Sequence, residues 1–189
     1  MIAAFLFDRF HFCDAALKVV GVGSVGTTCG VALFLAADGD PLFLQIKEAR
    51  RSVLEPFTRK SIYANHGERV VVGQRLMQAA SDIFLGWTHG DRGRHFYVRQ
   101  LRDMKISPAI EVMQPQNLVN YAALCGWALA RAHARSGDAA MLSGYIGKSN
   151  AFADAVADFA EAYADQNERD HAALVAAVRA GRIEVKREV

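Results

Sequence analysis

A glycine-rich segment, VVGVGSVGT at residues 19–27, constrains the fold of this chain more than any other feature. Gly21, Gly23 and Gly26 have the spacing G-x-G-x-x-G, with Ser24 inside it. Such a segment brings the backbone close to phosphate groups in two different folds, one with a helix after the glycines and one with a strand. Glycines between strands are also ordinary turns, so the flanking residues must decide.

The residues after Gly26 favour a strand. Residues 27–35 contain Thr, Cys, Gly, Val and Phe, which favour a strand, and a helix here would have to stop at the Asp38-Gly39 turn. Asp38 or Asp40 is loosely placed for the ribose contact of a dinucleotide site, but no βαβ unit is visible. A dinucleotide-binding domain is therefore the less favoured interpretation, and a glycine-rich turn between antiparallel strands is the favoured one.

The order of predicted elements indicates an α+β fold. Residues 18–48 read as a three-stranded antiparallel meander, because short apolar runs are separated by glycines and by the Asp38-Gly39 turn. A helix, two strands and three helices follow, at residues 68–81, 83–87, 95–101, 117–135, 150–164 and 167–180. Strands first and helices later predict a sheet lobe with one packed helix over residues 1–106, followed by a helical region over residues 107–189.

A kinase-like nucleotide site requires a lysine on the third strand and a carboxylate on the next helix. The run Leu44-Gln45-Ile46-Lys47 has the form of that strand, and Glu68 follows near the start of the predicted helix. At the far end of the last strand, Leu101 and Met104 would bear on the nucleotide base. We therefore expect ATP with Mg²⁺ as the ligand. The alternative is that Lys47 is an ordinary solvated lysine.

The sequence shows neither a catalytic base nor a set of metal ligands. The His89-Gly90-Asp91 segment resembles part of a phosphotransferase loop, but Phe96 stands where that loop has asparagine, and a surface hairpin turn is the favoured interpretation. His66 and Glu68 are too close for an i, i+4 metal pair. We predict no catalytic residue and no metal ligand within this chain.

Composition narrows the class of protein. The net charge of the 189 residues is +2 and the basic residues are scattered, so we expect no nucleic-acid partner. No apolar run is long enough to span a membrane. The three cysteines Cys13, Cys29 and Cys125 are widely spaced, and we expect them to be reduced and buried in a cytoplasmic protein.

Five long motifs make a family resemblance visible: KVVGVGSVGT, PLFLQIKEA, HGERVVVGQRLMQAASD, FYVRQLRDMK and YAALCGWALARAHARSGD. They resemble a bacterial family classed as a domain of unknown function, from about residue 7 to residue 183. That family is in turn similar to the protein-kinase-like superfamily, which includes the aminoglycoside phosphotransferases. Thr28 departs from the pattern, because the resemblance implies an arginine at this position.

The resemblance also implies a second half. Members of the family carry, before the glycine-rich segment, a GDxHxxNFG motif and a DFDE motif that resemble catalytic-loop and metal-binding motifs. This chain then looks like the C-terminal portion of a member, a nucleotide-binding fragment that would be inactive alone. Its expected partner is a separately encoded N-terminal half or a second copy of the chain. The alternative is a non-enzymatic remnant or partner-binding module.

Overall fold

The computed structural model describes residues 6–18, 26–101 and 107–185. The chain divides into two compact units, Met1–Gly137 and Asp138–Val189. The first unit contains the sheet and two helices, and the second contains the two remaining helices. The structure confirms the α+β class, with strands followed by helices.

One five-stranded antiparallel sheet forms the first unit's framework. Its strands are β1 (Phe10–Leu17), β2 (Cys29–Ala36), β3 (Pro41–Ala49), β4 (Gly86–His89) and β5 (His95–Gln100). They lie in the order β1-β2-β3-β5-β4. The β2–β3 hairpin turns at Gly39, whose φ of 88° is one that glycine adopts without a steric penalty. Because β3 pairs with β2 on one side and with β5 on the other, it lies at the centre of the sheet.

Two of the strands lie elsewhere than predicted. The first strand was expected at residues 18–23, but β1 is Phe10–Leu17, while residues 19–23 lie outside the described ranges. Phe12 of β1 pairs with Phe34 of β2, and their rings make an edge contact at 5.7 Å, which sets this earlier register. β4 begins at Gly86 instead of residue 83. His89-Gly90-Asp91 does lie at a hairpin turn, as predicted.

One face of the sheet carries most of the apolar core. Ala32 of β2 and Leu42 and Leu44 of β3 are buried there. Aromatic rings cover the same face, since Phe34 contacts Phe7 in an edge arrangement.

Helix α1 (His66–Met77) lies against β3, β4 and β5. Asn65 caps its start, because the Oδ1 atom of Asn65 accepts hydrogen bonds from the backbone N–H groups of Gly67 and Glu68. Val71, a residue of this helix, has a fully buried side chain. A β-carbon on Gly67 would overlap the backbone carbonyl of Phe96, so only glycine permits this close approach to the sheet.

Helix α2 (Pro115–Ser136) contacts α1 and completes the first unit. It begins with proline in its first turn and ends at the predicted C-cap, Gly137, whose N–H donates to the carbonyl oxygen of His133. The guanidinium of Arg135 donates to the carbonyl oxygens of Arg75 and Gln78 at the end of α1. The two helices are thereby joined at their C-terminal ends.

The second unit contains α3 (Ala139–Ile146) and α4 (Ala151–Arg179). Helix α3 was not predicted from the sequence, and α4 was predicted as two separate helices. The chain between the two predicted helices, residues 165–166, contains no glycine or proline, so the helix continues through it. Asn150 stands at the N-cap position of α4 as predicted, but its side chain makes no capping bond.

Burial of the cysteines was predicted correctly for one of three. Cys29 is buried, whereas Cys13 and Cys125 are exposed, and all three are free thiols. Cys13 lies on the edge strand β1 and Cys125 on a solvent-facing part of α2. No helix within the described residues is both long and apolar enough to cross a lipid bilayer.

Replacement of Gly67 with alanine tests the close approach of α1 to the sheet. We expect Gly67→Ala to lower the free energy of unfolding by about 1 to 3 kcal/mol, because the new methyl group must displace backbone. Gly73→Ala, in the same helix with open space around it, is the matched control and should raise stability by about 0.5 to 1 kcal/mol. Equal effects of the two substitutions in urea denaturation would contradict this packing.

Candidate functional site

The end of the glycine-rich segment lies at the edge of the sheet where β2 begins. Gly21, Gly23 and Ser24 fall outside the described residues, so only Gly26 of the predicted set can be placed. Gly26 has a φ of 76°, in the left-handed region that favours glycine, and within the described ranges no atom lies within 4 Å of the position of a β-carbon. The segment therefore enters β2 through a turn that a bulkier residue would strain.

An ion pair fixes this entry to β3. The Nε atom of Arg50 donates to Oε1 of Glu48 at 2.8 Å, and the same guanidinium donates to the carbonyl oxygen of Gly26. The second carboxylate oxygen of Glu48 accepts from the backbone N–H of Thr28 at 2.9 Å. Glu48 and Arg50 thus bind Thr28 and Gly26, the residues that lead into β2, to the end of the central strand.

Electrostatics at Glu48 follow from these bonds. The hydrogen bond from Arg50, with the backbone N–H of Thr28, lowers the pKa of the Glu48 carboxyl to about 2, against the opposing effect of burial. The side chain of Glu48 is mostly buried, whereas that of Arg50 is largely exposed. Glu48 is therefore a fixed negative charge at any physiological pH.

A second guanidinium binds the side chain of Thr28. Nη1 of Arg94, in the turn between β4 and β5, donates to the hydroxyl oxygen of Thr28 at 3.1 Å. The same guanidinium lies 5.5 Å from the centre of the Phe96 ring. The family resemblance implies an arginine at position 28. In this chain the residue is Thr28, and it binds the guanidinium of Arg94 from another segment.

Lys47 lies near the end of the central strand. It pairs with Cys29 on β2 and with Tyr97 on β5, so these three side chains share one face of the sheet. Burial raises the pKa of the Tyr97 phenol in this row. On the same face, Gln45 accepts two hydrogen bonds from the guanidinium of Arg99, at 3.1 and 3.0 Å. Lys47 therefore emerges from a partly desolvated row of side chains.

The first turn of α1 lies at this same end and on this same face. The backbone N–H of His66 donates to Nδ1 of His95 at 3.0 Å, and by strand alternation His95 shares the face of Tyr97 and Lys47. Glu68 follows two residues later in that turn. Among the ion pairs of the described residues there is none between Lys47 and Glu68, so the two are brought to one region without being paired.

Leu101 lies at the opposite end of β5, where its N–H donates to the carbonyl oxygen of Phe43. Phe43 and Lys47 are four residue steps apart on β3, a distance of about 13 Å along an extended strand. Leu101 also lines a cavity of about 410 Å³, together with Gln74, Asp82 and Arg99. Met104 lies outside the described residues.

Within the described ranges, no group of three or more His, Cys, Asp or Glu side chains is arranged to hold a metal ion. Two acidic residues near the site are paired with arginines, since Glu48 binds Arg50 and Glu55 binds Arg51.

Sequence reasoning missed Glu48, Arg50 and Arg94. Their signals were weak, because each is a polar residue at the end of a strand and would ordinarily be a solvated surface residue. The Glu48-x-Arg50 spacing was visible, and alternation does place both on one face of an extended strand. Arg94 is separated from Thr28 by 66 residues, so no local pattern could have joined them.

Comparison with protein families identifies the family of this chain. A family described as "Uncharacterized protein conserved in bacteria (DUF2252)" matches residues 3–177. The chain belongs to this family. No curated protein and no solved structure matches the sequence. Membership of the family thus confirms the bacterial resemblance, while its further similarity to kinases stays a prediction.

The pH dependence of stability tests the role of Glu48. Because the pKa of Glu48 is about 2 in the fold and 4.5 in the unfolded reference, its contribution is complete above pH 4.5 and is lost as pH falls towards 2. Glu48→Gln should cost about 1 to 3 kcal/mol at neutral pH and flatten the unfolding profile in this acidic range. The exposed Glu111→Gln should retain the wild-type profile. A Glu48→Gln profile parallel to wild type would show that these bonds contribute little.

Proposed function

We propose that this chain is a nucleotide-binding domain that holds the phosphates of ATP with Mg²⁺ between the glycine-rich turn, Lys47 and the first turn of α1. The observation that carries the proposal is that Gly26, Lys47 and Glu68 belong to three separate elements that meet at one end of the sheet. Backbone N–H groups of a glycine-rich turn and one lysine are a donor set suited to phosphate oxygens.

The distribution of groups along β3 supports the same ligand. Lys47 lies at one end of the strand, and Leu101 is bonded to Phe43 towards the other. A nucleotide spans such a distance with charge at one end and an apolar base at the other. Gly21, Gly23 and Ser24 would cover the phosphates, while Leu101 and Met104 would bear on the base. Glu68 would orient the Lys47 ammonium once phosphate is bound.

The proposal is one of binding without assigned catalysis. His89-Gly90-Asp91 occupies a hairpin turn, and Asp91 belongs to a short 3₁₀ turn (Asp91–Gly93). The resemblance implies that the catalytic loop and the metal-binding aspartate come from a GDxHxxN-containing half. We propose that this half, encoded separately, or a second copy of the chain, is the partner. The free thiols Cys13, Cys29 and Cys125 support a reducing, cytoplasmic location.

A partner-binding role without nucleotide is the second candidate, and the helices of the second unit favour it. Tyr145, Phe152, Phe159 and Tyr163 on α3 and α4 are all exposed, and the last two are stacked with their centroids 5.6 Å apart. Exposed aromatic residues in such numbers are typical of interaction surfaces. This role predicts association of the chain that nucleotide does not change.

Calorimetric titration with ATP and Mg²⁺ distinguishes the two functions. We expect the wild-type chain to bind ATP and Lys47→Ala to bind at least about tenfold more weakly, which corresponds to about 1.4 kcal/mol. Lys60→Ala removes an exposed lysine of the same unit and should bind like wild type. No binding by the wild type at millimolar ATP, or equal binding by Lys47→Ala, would contradict the nucleotide proposal.

A further inference from the structure

Three histidines gather where α1 meets the sheet. His66 is the first residue of α1, His89 is the last of β4 and His95 is the first of β5. The ring centroid of His95 lies 5.1 Å from that of His66 and 5.1 Å from that of His89. Imidazole is the side chain whose ordinary pKa lies nearest neutrality, so small changes of pH can alter the charge of such a cluster.

The hydrogen bonds require the neutral form of two rings. Nδ1 of His95 accepts from the backbone N–H of His66 at 3.0 Å, so this nitrogen carries no proton. The amide oxygen of Asn65 accepts from Gly67 at 2.7 Å, which leaves the amide nitrogen of Asn65 facing Nε2 of His89 at 3.3 Å. That ring nitrogen must therefore also be an acceptor. Both rings therefore accept hydrogen bonds from groups at the start of α1, His95 from the His66 backbone and His89 from the Asn65 side chain.

The groups around the cluster act on an added proton in opposite directions, because carboxylates favour it and the start of a helix disfavours it. Nδ1 of His66 is buried without a hydrogen-bond partner. Glu55, in the loop before α1, is close enough for the charge of His66 to lower its pKa, but it is already paired with Arg51 at 2.6 Å. Glu68 lies in the same turn of the helix, and the amide end of the helix itself repels cations.

We propose that His95, supported by His89, is an acid-sensitive latch that holds the first turn of α1 to the sheet and releases it when the imidazole gains a proton. Protonation converts Nδ1 of His95 from an acceptor into a donor, so the hydrogen bond from the His66 backbone is lost. It also places a cation against the positive end of the helix, beside two further imidazoles.

The direction of the pH effect follows from the environment of His95. Burial, with the charges of His66 and His89, lowers the pKa of His95 from its ordinary value of 6.5. The unfolded chain therefore takes up this proton before the folded chain does. The stability that the latch provides is complete above pH 6.5 and falls as pH decreases towards the lowered pKa.

Release of the first turn would move Glu68, which lies two residues after His66. Only this consequence rests on the proposed nucleotide site. The latch itself concerns the attachment of α1, so it can be tested without any ligand, and its failure would leave the nucleotide proposal untouched.

Amide hydrogen exchange of the ligand-free protein between pH 7.5 and pH 5.0, corrected for the intrinsic exchange rate, tests the latch. We expect the protection of the amides of residues 66–69 to fall about tenfold in the wild type, roughly the effect of losing one hydrogen bond. Protection of the β3 amides should hold. Equal loss of protection across the whole sheet would mean general acid unfolding and would overturn the latch.

Two variants sharpen the test. His95→Asn places a non-titrating amide oxygen near the position of Nδ1, so protection of the first turn should no longer depend on pH. His171→Asn, at an exposed position of α4, should behave like wild type. A pH dependence in His95→Asn equal to that of wild type would overturn the proposal.

An NMR titration of the wild-type imidazoles keeps the test independent of variants that fold poorly. The proposal requires His95 to carry its neutral proton on Nε2 and to titrate in step with exchange of the His66 amide. Titration of His95 with the His66 amide still protected would contradict it.

Discussion

The attachment of α1 to β4 and β5 is the constraint on which the arrangement of this domain depends. Gly67 lets the helix approach the backbone of Phe96, Asn65 caps the helix, and the N–H of His66 is bound by His95. Because these contacts all lie in the first helical turn, they fix the start of the helix and leave its exposed side free to vary. The position of Glu68 relative to the sheet follows from them.

The central strand β3 is the second organising element, because its two faces carry side chains with different contacts. Glu48 lies on one face and ties the glycine-rich turn to Arg50, while Lys47 and Gln45 lie on the other with Tyr97 and Arg99. A strand paired on both sides is held along its length, so side chains at its end are positioned with little loss of freedom on binding. That is the physical basis for proposing a nucleotide site at this end.

Much of the fold could be predicted from the sequence, and the reasons are local. The Asp38-Gly39 turn and the apolar runs on either side of it specified the β2–β3 hairpin. The first strand was misplaced because Phe10–Leu17 alternates poorly and its pairing depends on Phe34, a residue far along the chain. The bond from Arg94 to Thr28 and the histidine cluster are long-range meetings of polar residues, for which a single sequence carries no periodic signal.

Paramagnetic broadening by Mn²⁺-ATP tests the location of the nucleotide site most directly, because the metal travels with the phosphates and weakens nearby NMR signals according to distance. The account predicts that amide signals of Gly26, Thr28, Lys47 and Glu68 broaden first, with those around Arg99 and Leu101 affected less. Broadening centred on the cavity at Arg99, or uniform broadening across the protein, would contradict the assignment of the phosphates to the glycine-rich end of the sheet.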